Sequence, residues 1–135
     1  MNDEALMNIL TQNHVIAVVG MSPKPERASH RVALYLRDHG YRIIPVNPGF
    51  NEILGETCYP DLESIPETEK VDIVDVFRKP DDTPPVAESA VRIGARVLWL
   101  QLGIVNEVAA SIAESGGLVV VQDRCMKIEH ERLIG

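Results

Sequence analysis

A cationic loop follows the first run of aliphatic residues. The loop begins after Gly20 and contains Lys24 and Arg27, together with the hydroxyl groups of Ser22 and Ser29. A helical pattern comes next, so backbone N–H groups at the helix start would add to the positive charge. This chemistry suits a phosphate, although a plain basic surface loop would look similar. Gly20 is the only glycine in the region, which excludes the GxGxxG fingerprint and the P-loop signature.

A second pair of cations, Arg78 and Lys79, follows the apolar run Val71–Phe77. An arginine can hold a phosphate through two parallel hydrogen bonds, and the ring of Phe77 offers a surface for packing. The pattern therefore predicts a phosphorylated adenosine as ligand. A solvated basic turn is the alternative.

Two other strand ends carry uncharged polar side chains. NAD-binding domains usually end the second strand with Asp or Glu, which bonds the ribose, but here Asn47 ends it and no carboxylate occurs before Glu52. The segment NPG would also serve as a rigid turn. Gln101 shares a strand face with Trp99 and could bond a ligand amide or cap the next helix, while Trp99 is expected in the core.

Alternating strand and helix patterns must position these loops. Strands are predicted at Val15–Val19, Tyr41–Val46, Val71–Phe77, Arg96–Leu102 and Leu118–Val121, and helices at Asp3–Gln12, Ala28–His39, Pro84–Ile93, Asn106–Ser115 and Met126–Ile134. Residues up to Lys70 after the second strand are expected to be irregular, with one short helix near Leu62. Unbroken aliphatic strands are typical of a parallel sheet covered on both faces. The prediction is one α/β domain over residues 1–135, Rossmann-like and doubly wound, with a mainly parallel five-stranded sheet that binds ligands at its carboxyl edge.

Composition excludes several classes of protein. The net charge of −7 argues against nonspecific nucleic-acid binding and against an anionic membrane surface. No apolar run approaches the roughly 20 residues of a membrane span, and the N-terminus does not resemble a signal peptide. Cys58 and Cys125 match no zinc spacing, which favours a reduced, cytoplasmic protein.

An ordered set of motifs resembles the small stand-alone CoA-binding domain proteins of bacteria and archaea. The motifs are VVGMSPKPERASHRVALYL, GYRIIPVNP, ILGETCYP, VDIVDVFRKP, WLQLGI and DRC. The resemblance spans about Ile9 to Leu133 and extends to the CoA-binding domain at the start of the succinyl-CoA synthetase alpha subunit. It implies a Rossmann-like fold, with coenzyme A or an acyl-CoA as the bound cofactor.

The resemblance also implies which residues contact each part of CoA. The diphosphate would be lined by Gly20, Ser22, Pro23, Lys24 and Arg27. The adenosine region would be bordered by Asn47 and Pro48, and the adenine and the phosphorylated ribose would be flanked by Phe77, Arg78 and Lys79. The pantetheine arm would be faced by Gln101, Leu102 and Gly103.

No set of nucleophile, base and orienting group is evident in the sequence. His30 follows the phosphate loop and Cys125 follows the fifth strand beside Arg124, a cation that favours a thiolate. The expected function is a CoA-binding module without catalysis, with no metal, nucleic acid or membrane as partner. A protein partner or a second copy of the chain stays open. The alternatives are an enzyme that acts on a CoA thiol or thioester through Cys125, and an NAD(P)-binding oxidoreductase domain.

Overall fold

Aliphatic runs form the strands in the computed structural model, which describes all 135 residues. The strands are β1 (Val15–Val19), β2 (Arg42–Val46), β3 (Glu52–Ile53), β4 (Glu56–Thr57), β5 (Ile73–Val76), β6 (Val97–Leu100) and β7 (Val119–Val121). A parallel five-stranded sheet has the order β2-β1-β5-β6-β7, and β3 and β4 form a separate antiparallel pair. The strand order reverses beside β1, so the loops after β1 and β5 meet at the switch point where such sheets bind ligands.

Helices cover both faces of the sheet, because its strands carry apolar side chains on both faces. They are α1 (Asp3–Gln12), α2 (Ala28–Asp38), α3 (Thr83–Arg92), α4 (Glu107–Ser115) and α5 (Met126–Leu133). One core cluster joins α1, α2 and α5 to one face, with Trp99 and Ile16 at its centre, and the other joins α3 and α4 to the opposite face. Trp99 is fully buried, which confirms the prediction that it belongs to the core.

The fold class predicted from the sequence is confirmed, with helix and strand ends shifted by only a few residues. The segment expected to be irregular is more ordered than predicted. It contains the β3–β4 hairpin, whose turn residues Leu54 and Gly55 have φ of 56° and 73°, the left-handed conformation that tight hairpins use. Two single 3₁₀ turns follow at Leu62–Ser64 and Glu67–Glu69, where one short helix was expected. Strands of two residues are too short to show alternation of apolar and polar side chains, so the hairpin was not predictable from periodicity.

Candidate functional site

Gly20 brings the loop after β1 against the end of β5. Its φ is 84°, and a Cβ built on it would lie 2.3 Å from the backbone oxygen of Phe77 and 3.4 Å from Nε of Arg78. Its N–H donates to the carbonyl of Val46 at 2.8 Å. Only glycine allows this approach and this φ together. The contact brings the side chain of Arg78 against the loop that carries Lys24 and Arg27, although neither Arg78 nor Lys79 lines the pocket over that loop.

Hydrogen bonds within the loop hold Ser22 and Ser29 in place. The Ser29 hydroxyl accepts from the Ser22 N–H at 2.9 Å, and the Ser22 hydroxyl accepts from the Lys24 N–H at 3.1 Å. Both hydroxyl protons remain free to donate to an anion. His30 is 7% exposed, and its Nδ1 lies 3.0 Å from the carbonyl of Ser22. This contact stabilises the conformation of the loop.

The start of α2 points unpaired N–H groups at the same place. Arg27 is the N-cap residue and makes no side-chain capping bond. The N–H groups of Ala28 and Ser29 have no acceptor within the chain. Unpaired N–H groups and the helix dipole together favour an anion at this end of a helix.

A pocket of about 420 Å³ opens over this loop. It is lined by Gly20, Ser22, Pro23, Lys24, Arg27, Ala28, Ser29, Asn47, Phe50 and Phe77. Eight of the residues singled out from the sequence are thus brought together, whereas Ala28 and Phe50 were not predicted. Phe50 is 43% exposed, and an aromatic residue just past the NPG turn at the ligand edge was the signal that could have found it.

Asn47 is committed to holding two loops together. Its Nδ2 donates to the carbonyl of Met21 at 2.9 Å, and its Oδ1 accepts from the N–H of Gly49 at 3.0 Å. Asn47 therefore shapes the pocket wall, and the neighbouring Pro48 lies exposed outside the pocket lining.

The cations without ion pairs are concentrated at this edge of the sheet. Of the 13 Lys and Arg residues, those that make no salt bridge are Lys24, Arg27, Arg31, Lys70, Arg78 and Lys79. All but Lys70 lie in the loop after β1, in the first turns of α2 or in the loop after β5. Unpaired like charges repel one another, so an arrangement of this kind is suited to a multiply charged anion.

The end of β6 lies outside the pocket. Gln101 is 3% exposed, and its Nε2 donates to Oδ1 of Asp75 at 2.5 Å, so part of its amide is already engaged. Leu102 is 64% exposed, and the N–H of Gly103 donates to Asp123 at 2.7 Å. These residues form the next stretch of the carboxyl edge, separate from the loop after β1.

A larger cleft of about 580 Å³ lies at the opposite edge of the sheet. Its charged residues largely satisfy one another, since Arg92 pairs with Glu63 and Arg96 with Asp72. The smaller pocket at the carboxyl edge has the chemistry for a ligand, because its cations are unpaired and its backbone donors are free.

The other candidate groups from the sequence do not gather into a site. Cys125 is half-buried at the start of α5, and burial raises the pKa of the Cys58 thiol. His130 lies 2.8 Å from the hydroxyl of Tyr35, and His39 lies 2.7 Å from the carbonyl of Tyr35. No group of three His, Cys, Asp or Glu residues is placed to hold a metal ion.

The fold and the pocket define a Rossmann-like α/β domain with a cationic pocket at its carboxyl edge, and comparison with known proteins shows its family. Residues 14–131 match the family described as "CoA binding domain". The chain belongs to this CoA-binding domain family.

Similar proteins include both small and large chains. Protein YneT of Bacillus subtilis is 42% identical over 125 residues, covering 93% of this chain and 91% of its own. A solved structure, "hypothetical protein from Pyrococcus horikoshii OT3", is 46% identical with a TM-score of 0.96 and covers 100% of this chain and 94% of its own. The ADP-forming acetate–CoA ligase I of Archaeoglobus fulgidus is 37% identical over 65 residues, which are 48% of this chain but only 10% of the ligase.

The helices are short compared with the thickness of a bilayer. The longest contains 11 residues, and none has the length and apolar character needed to cross a membrane.

Proposed function

We propose that this protein binds coenzyme A at the carboxyl edge of its sheet and acts as a binding module without turnover. The diphosphate would lie on the loop after β1, against the free N–H groups of α2 and the side chains of Lys24 and Arg27. The phosphorylated adenosine would lie beside Phe77, Arg78 and Lys79. The pantetheine arm would run on towards Gln101, Leu102 and Gly103.

The observation that carries this proposal is the concentration of unpaired cations in a protein of net charge −7. They come from two loops that Gly20 holds in contact. CoA carries negative charge at both its diphosphate and its 3′-phosphate, and charge-assisted bonds from Arg and Lys are the strong ones. The match of residues 14–131 to the CoA-binding domain family supports the same ligand.

NAD(P) suits the pocket less well than CoA. An NAD-binding domain would use a carboxylate at the end of β2 to bond the ribose. Here Asn47 takes that position, and both ends of its amide are committed to backbone groups of the two loops.

Charge-removing variants test the proposal. We expect Arg27→Gln and Arg78→Gln each to weaken CoA binding roughly 10- to 100-fold, the usual effect of losing a hydrogen bond between charged groups. Arg96→Gln is the matched control, since Arg96 is an exposed arginine at the opposite edge, and it should leave affinity unchanged. Calorimetric titration measures all three. Equal affinities for the two site variants and the control would contradict the proposed position of CoA.

A further inference from the structure

Asp75 is a buried carboxyl group within the aliphatic strand β5. It is 0% exposed, and its neighbours across the sheet are Val18 and Trp99. Oδ1 accepts a hydrogen bond from Nε2 of Gln101, while Oδ2 is enclosed and has no partner. A buried acid with an unmade hydrogen bond destabilises a fold, so its presence at the switch point calls for an explanation.

Gln101 connects this acid to the ligand edge. Its Oε1 has no hydrogen-bond partner within the chain. Only Asn13 Oδ1 and Asp75 Oδ2 are side-chain atoms that are both enclosed and unpartnered. The Oε1 atom of Gln101 is therefore not completely enclosed, and it belongs to the residue just beyond the carboxyl end of β6. Gln101 thus has its N–H side towards Asp75 and its oxygen at the edge where ligands bind.

The orientation of the Gln101 amide depends on the protonation of Asp75. An ionised carboxylate only accepts hydrogen bonds, so it must face the N–H side of the amide. A protonated carboxyl can also donate, and it can then hold the oxygen and turn the NH₂ group outward. Burial raises the pKa of Asp75 to about 7, and the hydrogen bond from Gln101 works against this shift.

No other titratable group takes part in the pair. On the helices that pack against this face of the sheet, the buried candidates are His30, Glu129 and His130. His30 faces the carbonyl of Ser22, Glu129 pairs with Arg124 and Arg132, and His130 faces Tyr35. Gln101 is the only polar side chain bonded to Asp75.

We propose that Asp75 is a positioning residue, which holds Gln101 with its oxygen outward to accept a hydrogen bond from an amide N–H of the pantetheine arm. This inference rests on the proposed function. Strands lie roughly 4.8 Å apart, so the end of β6 is about 10 Å from the loop after β1. An arm that leaves the diphosphate and follows the sheet edge passes this point.

The test separates the contribution of the pantetheine arm to the affinity from that of the rest of CoA. Wild type, Asp75→Asn and Asp72→Asn are titrated with CoA and with 3′-phosphoadenosine 5′-diphosphate, which lacks the arm, between about pH 6 and pH 8. The quantity of interest is the ratio of the Kd of the shorter ligand to the Kd of CoA. We expect the ratio in wild type, divided by the same ratio in Asp75→Asn, to rise roughly two- to tenfold with pH, the range for one hydrogen bond.

The variants show whether Asp75 is the cause. Asp75→Asn cannot ionise, so its ratio should change with pH only because the terminal phosphate of the shorter ligand loses a proton, and this change is the same for every protein. Asp72→Asn changes a carboxyl at the other end of the same segment, where it accepts from His14 and Val15, and should keep the wild-type profile. Gln101→Leu, a second variant for the case that Asp75→Asn does not fold, should also show only the change that the ligands themselves cause.

Three results would overturn the inference. A wild-type ratio with the same pH profile as the ratio in Asp75→Asn or Gln101→Leu would show that Asp75 does not set the orientation of Gln101. An equal loss of affinity for both ligands in Asp75→Asn would mean that Asp75 has only a structural role. If wild type binds neither ligand, the proposed function fails, and the inference fails with it.

Discussion

Gly20 gives the site its shape, because the loop after β1 and the end of β5 touch at its missing side chain. A methyl group there would meet the Phe77 carbonyl at 2.3 Å, and the φ of 84° is itself unfavourable for other residues. We expect Gly20→Ala to lower the free energy of unfolding by about 2–4 kcal/mol and to weaken CoA binding, since Arg78 would be displaced.

Gly94→Ala is the matched control for this change. Gly94 has a φ of 76°, and no atom lies within 4 Å of a Cβ built there. The substitution should therefore lower the free energy of unfolding only by the cost of placing alanine at a positive φ, about 1–2 kcal/mol. Urea denaturation and CoA titration of both variants measure the difference. Equal losses of stability would show that the contact with Phe77 is unimportant.

Asp75 should make the stability of the protein depend on pH. Its pKa is raised from 3.8 to about 7 by burial, so between about pH 4 and pH 7 the folded protein keeps a proton that the unfolded chain releases. The free energy of unfolding therefore falls as pH rises through this window. Asp75→Asn has no charge to bury, so it should become more stable relative to wild type as pH rises. The difference in the free energy of unfolding between the two proteins should increase by on the order of 4 kcal/mol from pH 4 to pH 8.

Urea denaturation of wild type and Asp75→Asn at several pH values checks this sign. The difference in the free energy of unfolding should grow with pH and level off above about pH 7. A difference that does not change with pH, or that shrinks, would contradict a buried acid that is neutral in the folded state.

The loops after β1 and β2 act as one unit because Asn47 bonds to both. Asn47→Ala would leave the Met21 carbonyl and the Gly49 N–H without these partners. We expect a loss of about 1–3 kcal/mol of stability together with weaker CoA binding. Asn51→Ala, in the same loop, removes a side chain that makes no hydrogen bond and should have little effect. Thermal unfolding distinguishes them, and matching melting temperatures would count against a structural role for Asn47.

Elements with a strong pattern were predictable from the sequence, and those set by tertiary contacts were not. β1 and α1 were predicted with their observed ends, because an aliphatic run and a helical spacing are local signals. The β3–β4 hairpin is instead followed by a tertiary contact, the bridge between Val46 and Tyr59. The short strands carry no such signal of their own.

The candidate site shows the same division. The cations and Gly20 follow from the rule that ligands bind at strand ends. The bond between Gln101 and Asp75 depends on the register of β5 and β6, which the sequence does not specify. Asp75 was not singled out from the sequence, although an acid within the run VDIVDVF was a signal that could have found it, because a charge is rarely buried inside a strand.

The molecule as a whole is acidic, yet its unpaired cations lie almost entirely at one edge of the sheet. The remaining arginines are all paired with carboxylates. This asymmetry favours an anionic small molecule at that edge while the overall charge repels polyanions. It also means that the affinity for the ligand should be more sensitive to the 3′-phosphate than to the uncharged arm.

The most direct measurement is a parallel calorimetric titration of the purified, nucleotide-free wild-type protein with CoA, dephospho-CoA and NAD. We predict that CoA binds and that NAD binds more weakly than CoA. Dephospho-CoA should bind roughly 10- to 100-fold more weakly than CoA, because it lacks the phosphate that Arg78 and Lys79 would hold. Tight binding of NAD with no binding of CoA would contradict this prediction, and the cationic edge would then serve another ligand.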